Sequence, residues 1–296
     1  VLSSSFVLGL EPAEAELLTG LTTTGNLVTF DSATPGTIAA SVAVTGLQSG
    51  ETLLGIDRRP ANGLLYGLGS TSRLYTVNTT TGAATQVGSA GGLTLSGTAF
   101  GFDVNPVPDR IRVVSSDTSN IRLNPNDGTL SGTDTLLAYA AGDSGEGLTP
   151  RVVGSSYTNN FDGTVVTTLF GIDSNRDVLV MQGGPDGTPS PNGGVLTTIG
   201  SGLGFDTSDL VGFDVSGISD IGFAAMTPPV GGASQLFTVN LTTGSATLVG
   251  TIGANLTLAG LAAGVTAVPE PSSNMLMGMG VVLLGGLLWL RLTARD

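Results

Sequence analysis

A chain of 296 residues with 40% hydrophobic content is long enough for one large domain or two modest ones with a buried core, which excludes a disordered chain. Its 46 glycines and 11% charged residues point to many short strands joined by tight turns rather than to long helices. Cys, His and Lys are absent, which removes thiol, imidazole and amine nucleophiles, and the net charge of -13 argues against sequence-independent binding to nucleic acid or anionic lipid, leaving neutral, cationic or metal-ion partners.

In chain order, the apolar run Phe6-Val7-Leu8-Gly9-Leu10 precedes Ala13-Glu14-Ala15, a small-x-small pattern of the kind signal peptidase reads. Residues 1–15 are therefore expected to be the truncated end of a signal peptide, with a frayed apolar N-terminus as the alternative. Residues 16–267 are expected to form one repeat domain. The stretch Leu74-Tyr75-Thr76-Val77-Asn78-Thr79-Thr80-Thr81-Gly82-Ala83-Ala84-Thr85-Gln86-Val87-Gly88 recurs from Leu236 to Gly250 with 11 of 15 positions identical. Each copy reads as a hairpin: an alternating strand, an Asn-x-x-Thr-Gly turn and a returning strand. The Asn-x-Thr triplets inside read better as turns than as glycan acceptors.

A second marker, Gly-apolar-Asp, precedes the hairpins at Gly55-Ile56-Asp57, Gly101-Phe102-Asp103 and Gly212-Phe213-Asp214. Degenerate copies stand at Gly154-Ser155-Ser156 and Gly260-Leu261-Ala262. The spacings of 46, 53, 58 and 48 residues fit a four-stranded propeller blade of roughly 40 to 50 residues, with insertions. The unit from Gly55 reads as an inner strand at 55–58, then strands at 64–69, 73–78 and 84–89. Residues 17–31 match the second and third strands of this unit at an offset of 47, so the domain begins on a blade without an inner strand. Residues 258–265 supply an inner strand with no blade to follow. Together they predict an all-β, five-bladed β-propeller whose terminal blade is shared between N- and C-terminal strands, which removes exposed edges between first and last blades. Two segments depart from the repeat and are where specificity is expected: residues 131–150, carrying Asp134, Asp143 and Glu146, and residues 182–194, with three prolines and five glycines.

Beyond the domain, Val268-Pro269-Glu270-Pro271-Ser272 leads into residues 275–290, 16 residues without a charge, followed by Arg291 and Arg295. As a helix this run spans about 24 Å, short for a bilayer but workable with its flanks. A single C-terminal transmembrane helix is expected, with residues 268–273 as linker and 274–296 as helix and tail. A buried core helix is disfavoured because all of its sides are apolar. The positive-inside rule puts the arginines in the cytoplasm and the domain outside. Pro269-Glu270-Pro271, the apolar helix and the arginine tail resemble the PEP-CTERM sorting signal of bacterial surface and exopolysaccharide-associated proteins. That resemblance implies an exosortase-type sorting protease as a partner, and release or transfer from an inner-membrane precursor to the cell surface. The tail departs from the usual run of consecutive arginines.

The repeat domain resembles a family of exported bacterial proteins whose domain has no assigned function. The resemblance rests on Leu65-Tyr66-Gly67-Leu68, Leu74-Tyr75-Thr76-Val77-Asn78, residues 101–115, Arg122-Leu123-Asn124-Pro125 and Thr158-Asn159-Asn160. It implies the fold and brings no activity.

Carboxylates are the one catalytic group on offer. Asp57, Asp103 and Asp214 hold equivalent inner-strand positions, so closure places them at one height around the channel, where two or more would face a common solvent-filled space. Such a set would suit Ca²⁺, the one cofactor the residues suggest, or act as a carboxylate pair on a glycoside. The competing and preferred reading gives each Asp a hydrogen bond to the turn after its own strand. Asp173 and Asp177, in Asp173-Ser174-Asn175-Arg176-Asp177, have calcium-loop spacing but lack the following glycine and the bidentate Glu, so an Asx-turn is preferred. Asp206 and Asp209, close in sequence to Asp214, invite the same suspicion. Arg110, Arg112 and Arg122 sit on neighbouring strands as a carboxylate site or, in the plainer reading, as ion pairs with Asp109 or Asp117. Without His no conventional triad can form. The expected function is an exported, non-catalytic binding or scaffold protein for exopolysaccharide, matrix or another surface protein. The alternative is a polysaccharide hydrolase or lyase using the channel aspartates.

Overall fold

The computed structural model describes residues 15–89 and 93–265. The expected signal peptide, Pro269-Glu270-Pro271, the apolar run at 275–290 and Arg291 and Arg295 lie outside them. Among the described residues no helix is long and apolar enough to cross a membrane.

Alternating apolar residues broken by tight turns, most with a Gly, Asp, Ser or Thr at positive φ, produce short and mostly antiparallel strands. Blade I opens with β1 (Leu17–Thr22), β2 (Asn26–Asp31) and β3 (Ile38–Ala43). Blade II is β4 (Leu53–Arg58), β5 (Leu65–Gly69), β6 (Arg73–Val77) and β7 (Ala84–Val87). Blade III is β8 (Phe100–Asn105), β9 (Arg110–Ser115), β10 (Asn120–Leu123) and β11 (Leu130–Thr133). Blade IV joins β12 (Ala138–Tyr139) to β13 (Val152–Tyr157), β14 (Leu169–Asp173), β15 (Val178–Gln182) and β16 (Val195–Ile199). Blade V is β17 (Val211–Val215), β18 (Gly222–Met226), β19 (Gln235–Val239) and β20 (Ala246–Thr251). Finally β21 (Leu258–Ala262) returns to pair antiparallel with β1, Gly20 opposite Leu261, and completes blade I in the order β21-β1-β2-β3. The five-bladed propeller with a shared blade is thus the fold.

The Asn turns owe their shape to one side chain each. Asn78 Oδ1 accepts from the N–H groups of Thr80 and Thr81, both at 2.9 Å, and Asn240 Oδ1 does the same for Thr242 and Thr243. Gly82 and Gly244 close these turns at φ of 73° and 71°, where a side chain is disfavoured.

There is no single core. Apolar residues gather in five wedges, one between each pair of adjacent blades. Between blades II and III, for instance, Tyr66, Leu68 and Leu74 meet Phe100, Phe102 and Ile111. Each fully buried Leu or Phe contributes about 1.5–3 kcal/mol relative to exposure, so every blade is held from both faces.

The marker glycines explain how five inner strands converge. A Cβ on Gly101 would stand 2.7 Å from Ser155 Cβ, and one on Gly212 would stand 2.5 Å from the Leu261 backbone nitrogen. The cavity that the five glycines help to line has a volume of ≈ 10 Å³, room for about one water.

One expected insertion is corrected. Residues 131–133 are not loop but the end of β11, the outer strand of blade III. Within the same segment β12 pairs parallel to β16, Ala138 opposite Val195, and gives blade IV a fifth strand. A two-residue strand has no alternation to read, and the pairing exists because the edge of β16 is there to receive it. Of the other insertion, residues 182–194, Gln182 ends β15 and residues 183–194 run as a loop between β15 and β16.

Candidate functional site

The marker aspartates meet at the axis, each at 1% exposure, with one carboxylate oxygen of each within 4.8 Å of the others. Each bonds not to the turn after its own strand but to the next blade. Asp57 Oδ2 accepts from Val104 N–H at 2.8 Å, Asp103 Oδ1 from Tyr157 N–H at 3.1 Å, and Asp214 Oδ2 from Ala263 N–H at 2.6 Å. Ser156, the degenerate copy, accepts from Val215 N–H through Oγ at 2.7 Å and donates to Asp214 Oδ1. The aspartate position therefore staples blade II to III, III to IV, IV to V and V to I. At the fifth junction Ala262 supplies no acceptor, and Asp57 Oδ1 takes its own strand's Arg58 N–H at 2.6 Å.

Five of the six oxygens are thus engaged, and Asp103 Oδ2 has no partner among the described residues. Burial pushes Asp57 well above the usual carboxylate range, with Asp214's charge adding to it. Burial does the same to Asp103, reinforced by Asp57 and Asp214, and raises Asp214 to about 6. A proton held on the cluster would relieve the repulsion and turn an acceptor-only oxygen into a donor. The three are buried rather than facing open solvent, and among the described residues none of them lines the narrow axial cavity or the cleft described below. Three converging carboxylates are a fraction of the 6–8 oxygens calcium takes, and these already serve the backbone.

Asp173 and Asp177 do not converge on an ion site either. Asp173 Oδ1 caps the turn at Asn175 N–H, and its Oδ2 accepts from the Tyr139 hydroxyl at 2.5 Å. Asp177 occupies the turn at φ 52° and accepts from Thr207 N–H. Asp209 pairs with Arg151 and accepts from Ser174.

The arginine cluster, in contrast, lines a cleft. Arg112 and Arg122 face each other across β9 and β10, and this like-charge pair is bridged by Asp134 at 2.6 and 2.7 Å. The expected partners were elsewhere: Asp109 pairs with Arg59, and Asp117 accepts from Ser96 and Ser115. Asp134 lies just past β11, in the segment with no repeat counterpart, so the pairing had no periodic signal. Arg112 is 1% exposed and commits four of its five donors, giving to Asp134 and also to Asn120, to Asn192 at 2.6 Å and to the Tyr157 hydroxyl at 3.2 Å. Asn192 comes from the insertion between β15 and β16, so the two expected specificity features meet here.

The cleft opens between blades III and IV where β8 and β13 end, with a volume of ≈ 310 Å³. It is lined by Arg110, Arg112, Arg122 and Tyr157, by Asp186, Ser190, Pro191 and Asn192 of the insertion, and by the apolar Val107 and Pro108. Tyr157 and Asn192 escaped the sequence reading. Tyr157 is placed by the staple to Asp103 that its own N–H makes, and Asn192 by a loop that pairs with nothing periodic.

A family model described as a domain of unknown function (DUF4394) matches residues 26–262. No curated protein matches the chain. Among solved structures, a structural genomics protein of unknown function from Bacteroides thetaiotaomicron is 15% identical with a TM-score of 0.48, over 84% of this chain and 62% of that one, so this chain spans less than two thirds of its length. A candidate 6-phosphogluconolactonase from Bacteroides uniformis is 14% identical with a TM-score of 0.41, over 82% and 84%. A protein from Lactobacillus plantarum is 14% identical with a TM-score of 0.41, over 81% and 67%. At these scores the structural likenesses carry no argument about function.

Proposed function

The chain belongs to the DUF4394 family, and from that premise we propose that it is a non-catalytic binding or scaffold module. We propose further that it is exported and sorted by an exosortase-type protease to the cell surface, where it holds exopolysaccharide, matrix or another surface protein. The observation that carries the binding reading is how the acidic groups are allocated. The three channel carboxylates are buried and serve as backbone acceptors between blades, while the open cleft presents guanidinium, amide and hydroxyl groups with a single exposed carboxylate, Asp186. A glycoside hydrolase needs two carboxylates that reach the scissile bond from a pocket. Pro269-Glu270-Pro271, the uncharged run at 275–290 and Arg291 and Arg295 support the sorting part, with the membrane as a transient partner of the precursor.

Purified protein incubated with a panel of bacterial polysaccharides and surface extracts should show saturable binding to at least one component and release no new sugar ends. Release of sugar ends that is lost in Asp103→Asn would overturn the reading in favour of a hydrolase or lyase. Mass spectrometry of the C-terminus, in cells with and without an exosortase, checks the sorting proposal: removal of residues 275–296 should depend on the protease.

A further inference from the structure

In the cleft between blades III and IV, several side chains keep donors that the protein itself does not use, set against one exposed carboxylate, that of Asp186. Arg110 donates through Nη1 to the carbonyls of Pro108 and Asp109, and among the described residues it has no ion pair with a carboxylate. Arg122 spends Nε and Nη2 on Asp134 and keeps Nη1. The Tyr157 hydroxyl accepts from Arg112 Nε and keeps its own proton for another acceptor. Asn192 must present its oxygen to Arg112, because a guanidinium only donates, so its amide hydrogens are left facing away from that bond. Ser190 accepts from Asn192 N–H and likewise retains its O–H.

Charge narrows the ligand further. Of the three guanidinium groups, Arg112 and Arg122 share Asp134, and Asp186 stands exposed at the rim. One positive charge is left over, centred on Arg110. In a chain of net charge -13 this local reversal selects a ligand with a single negative charge rather than a phosphate dianion. The planar fork of a guanidinium matches a carboxylate in geometry as well as charge. The remaining donors, with Val107, Pro108 and Pro191 as an apolar wall, suit a ring that carries several hydroxyls and has C–H faces. A volume of ≈ 310 Å³ is at the small end of ligand pockets, which run from about 300 to 1,000 Å³, and so suits one or two sugar units.

Resting on the binding reading above, we infer that this cleft takes a hexuronate unit of an acidic polysaccharide, its carboxylate on Arg110 and its hydroxyls on Tyr157, Asn192 and Ser190. An acidic peptide would use the guanidinium but leave the hydroxyl-matching donors without a role.

The test is calorimetric titration of the full chain with glucuronate, galacturonate and mannuronate, each as monosaccharide and as short oligomer. The neutral hexose oligomers, a sulfated glycan and polyglutamate are titrated in parallel. At least one uronate should bind saturably and at least tenfold tighter than its neutral counterpart, the sulfated glycan and polyglutamate. Arg110→Gln should weaken that binding at least tenfold and leave Tm unchanged, since the Arg110 side chain bonds only its own turn. Equal affinity of monosaccharide and oligomer would identify a single unit as the ligand, and tighter oligomer binding a polymer. No uronate binding, equal binding of the neutral sugar, preference for the sulfated glycan or polyglutamate, or indifference to Arg110→Gln would overturn the inference. A neutral glycan or surface protein that binds while no uronate does would overturn it and leave the binding reading standing. Cleavage of a bound uronate oligomer would instead overturn the binding reading and leave the recognition intact.

Discussion

Asp103 carries two opposed energies: its Oδ1 holds the Tyr157 N–H of the next blade, while its buried charge faces Asp57 and Asp214. The folded values of all three carboxyls lie above 3.8, so the stability linked to each is fully present below the unfolded value and is lost as pH rises through the folded one, about 6 for Asp214. Asp103→Asn keeps an acceptor for Tyr157 and imitates the protonated acid. Its advantage over wild type should be smallest at pH 4 and grow as pH rises, by up to about 1.4 kcal/mol per pH unit while Asp103 is ionised in the unfolded chain and protonated in the folded one. Urea titrations of both proteins from pH 4 to 8 in chelator check this, and a pH-independent difference would refute it. Asp103→Leu should be less stable than Asp103→Asn by about 1–3 kcal/mol, because the Tyr157 N–H is left buried without an acceptor. At this scale the sequence revealed which residues recur but not what they touch. The Asp position was legible because it repeats; its partner, one residue past the marker of the following blade, was not, because that contact lies 47 to 59 residues away in the chain.

Four of the five inner strands behave as interchangeable elements because the same two positions do the same two things in each; in β21 the second is Ala262. The glycine permits the neighbouring inner strand to approach, and the aspartate or serine two positions on ties it down. Gly212→Ala places a methyl 2.5 Å from backbone, which cannot yield as a side chain would, whereas Gly193→Ala meets nothing within 4 Å. The first should cost about 1–3 kcal/mol or more and the second little, measured by chemical denaturation side by side. Strand identity was largely legible: the expected strand at 73–78 is β6 (Arg73–Val77), and that at 84–89 is β7 (Ala84–Val87). Alternation and tight turns are local signals, so a local reading finds them. The insertion into blade IV was legible as a departure from the repeat, but strand β12 and the contact made by Asn192 were not, for the converse reason. β12 is a strand because β16 offers an edge, and the loop carrying Asn192 has its place because Arg112 draws the side chain in.

Closure of the ring sets the cooperativity of the whole molecule. β21 supplies the inner strand of blade I and contributes Leu258 and Leu261 to the wedge with blade V and Ala262 to that with blade II. Removing residues 258–265 should therefore abolish cooperative melting rather than lower Tm by a few degrees, and calorimetry showing a sharp transition in the deletion would refute the clasp. The blade count, the shared blade and the positions of the marker residues were determined by the sequence alone, because each is a periodicity or an offset that survives in one dimension. What only the tertiary structure decided is what the charged residues do. Closing the ring brings Asp57, Asp103 and Asp214 from three blades into a buried cluster of staples, and it sets Arg110 and Arg122 against an insertion 60 or more residues further along. Electrostatic neighbours are chosen by distance in space, and no pattern along the chain records that distance until the last blade has closed on the first.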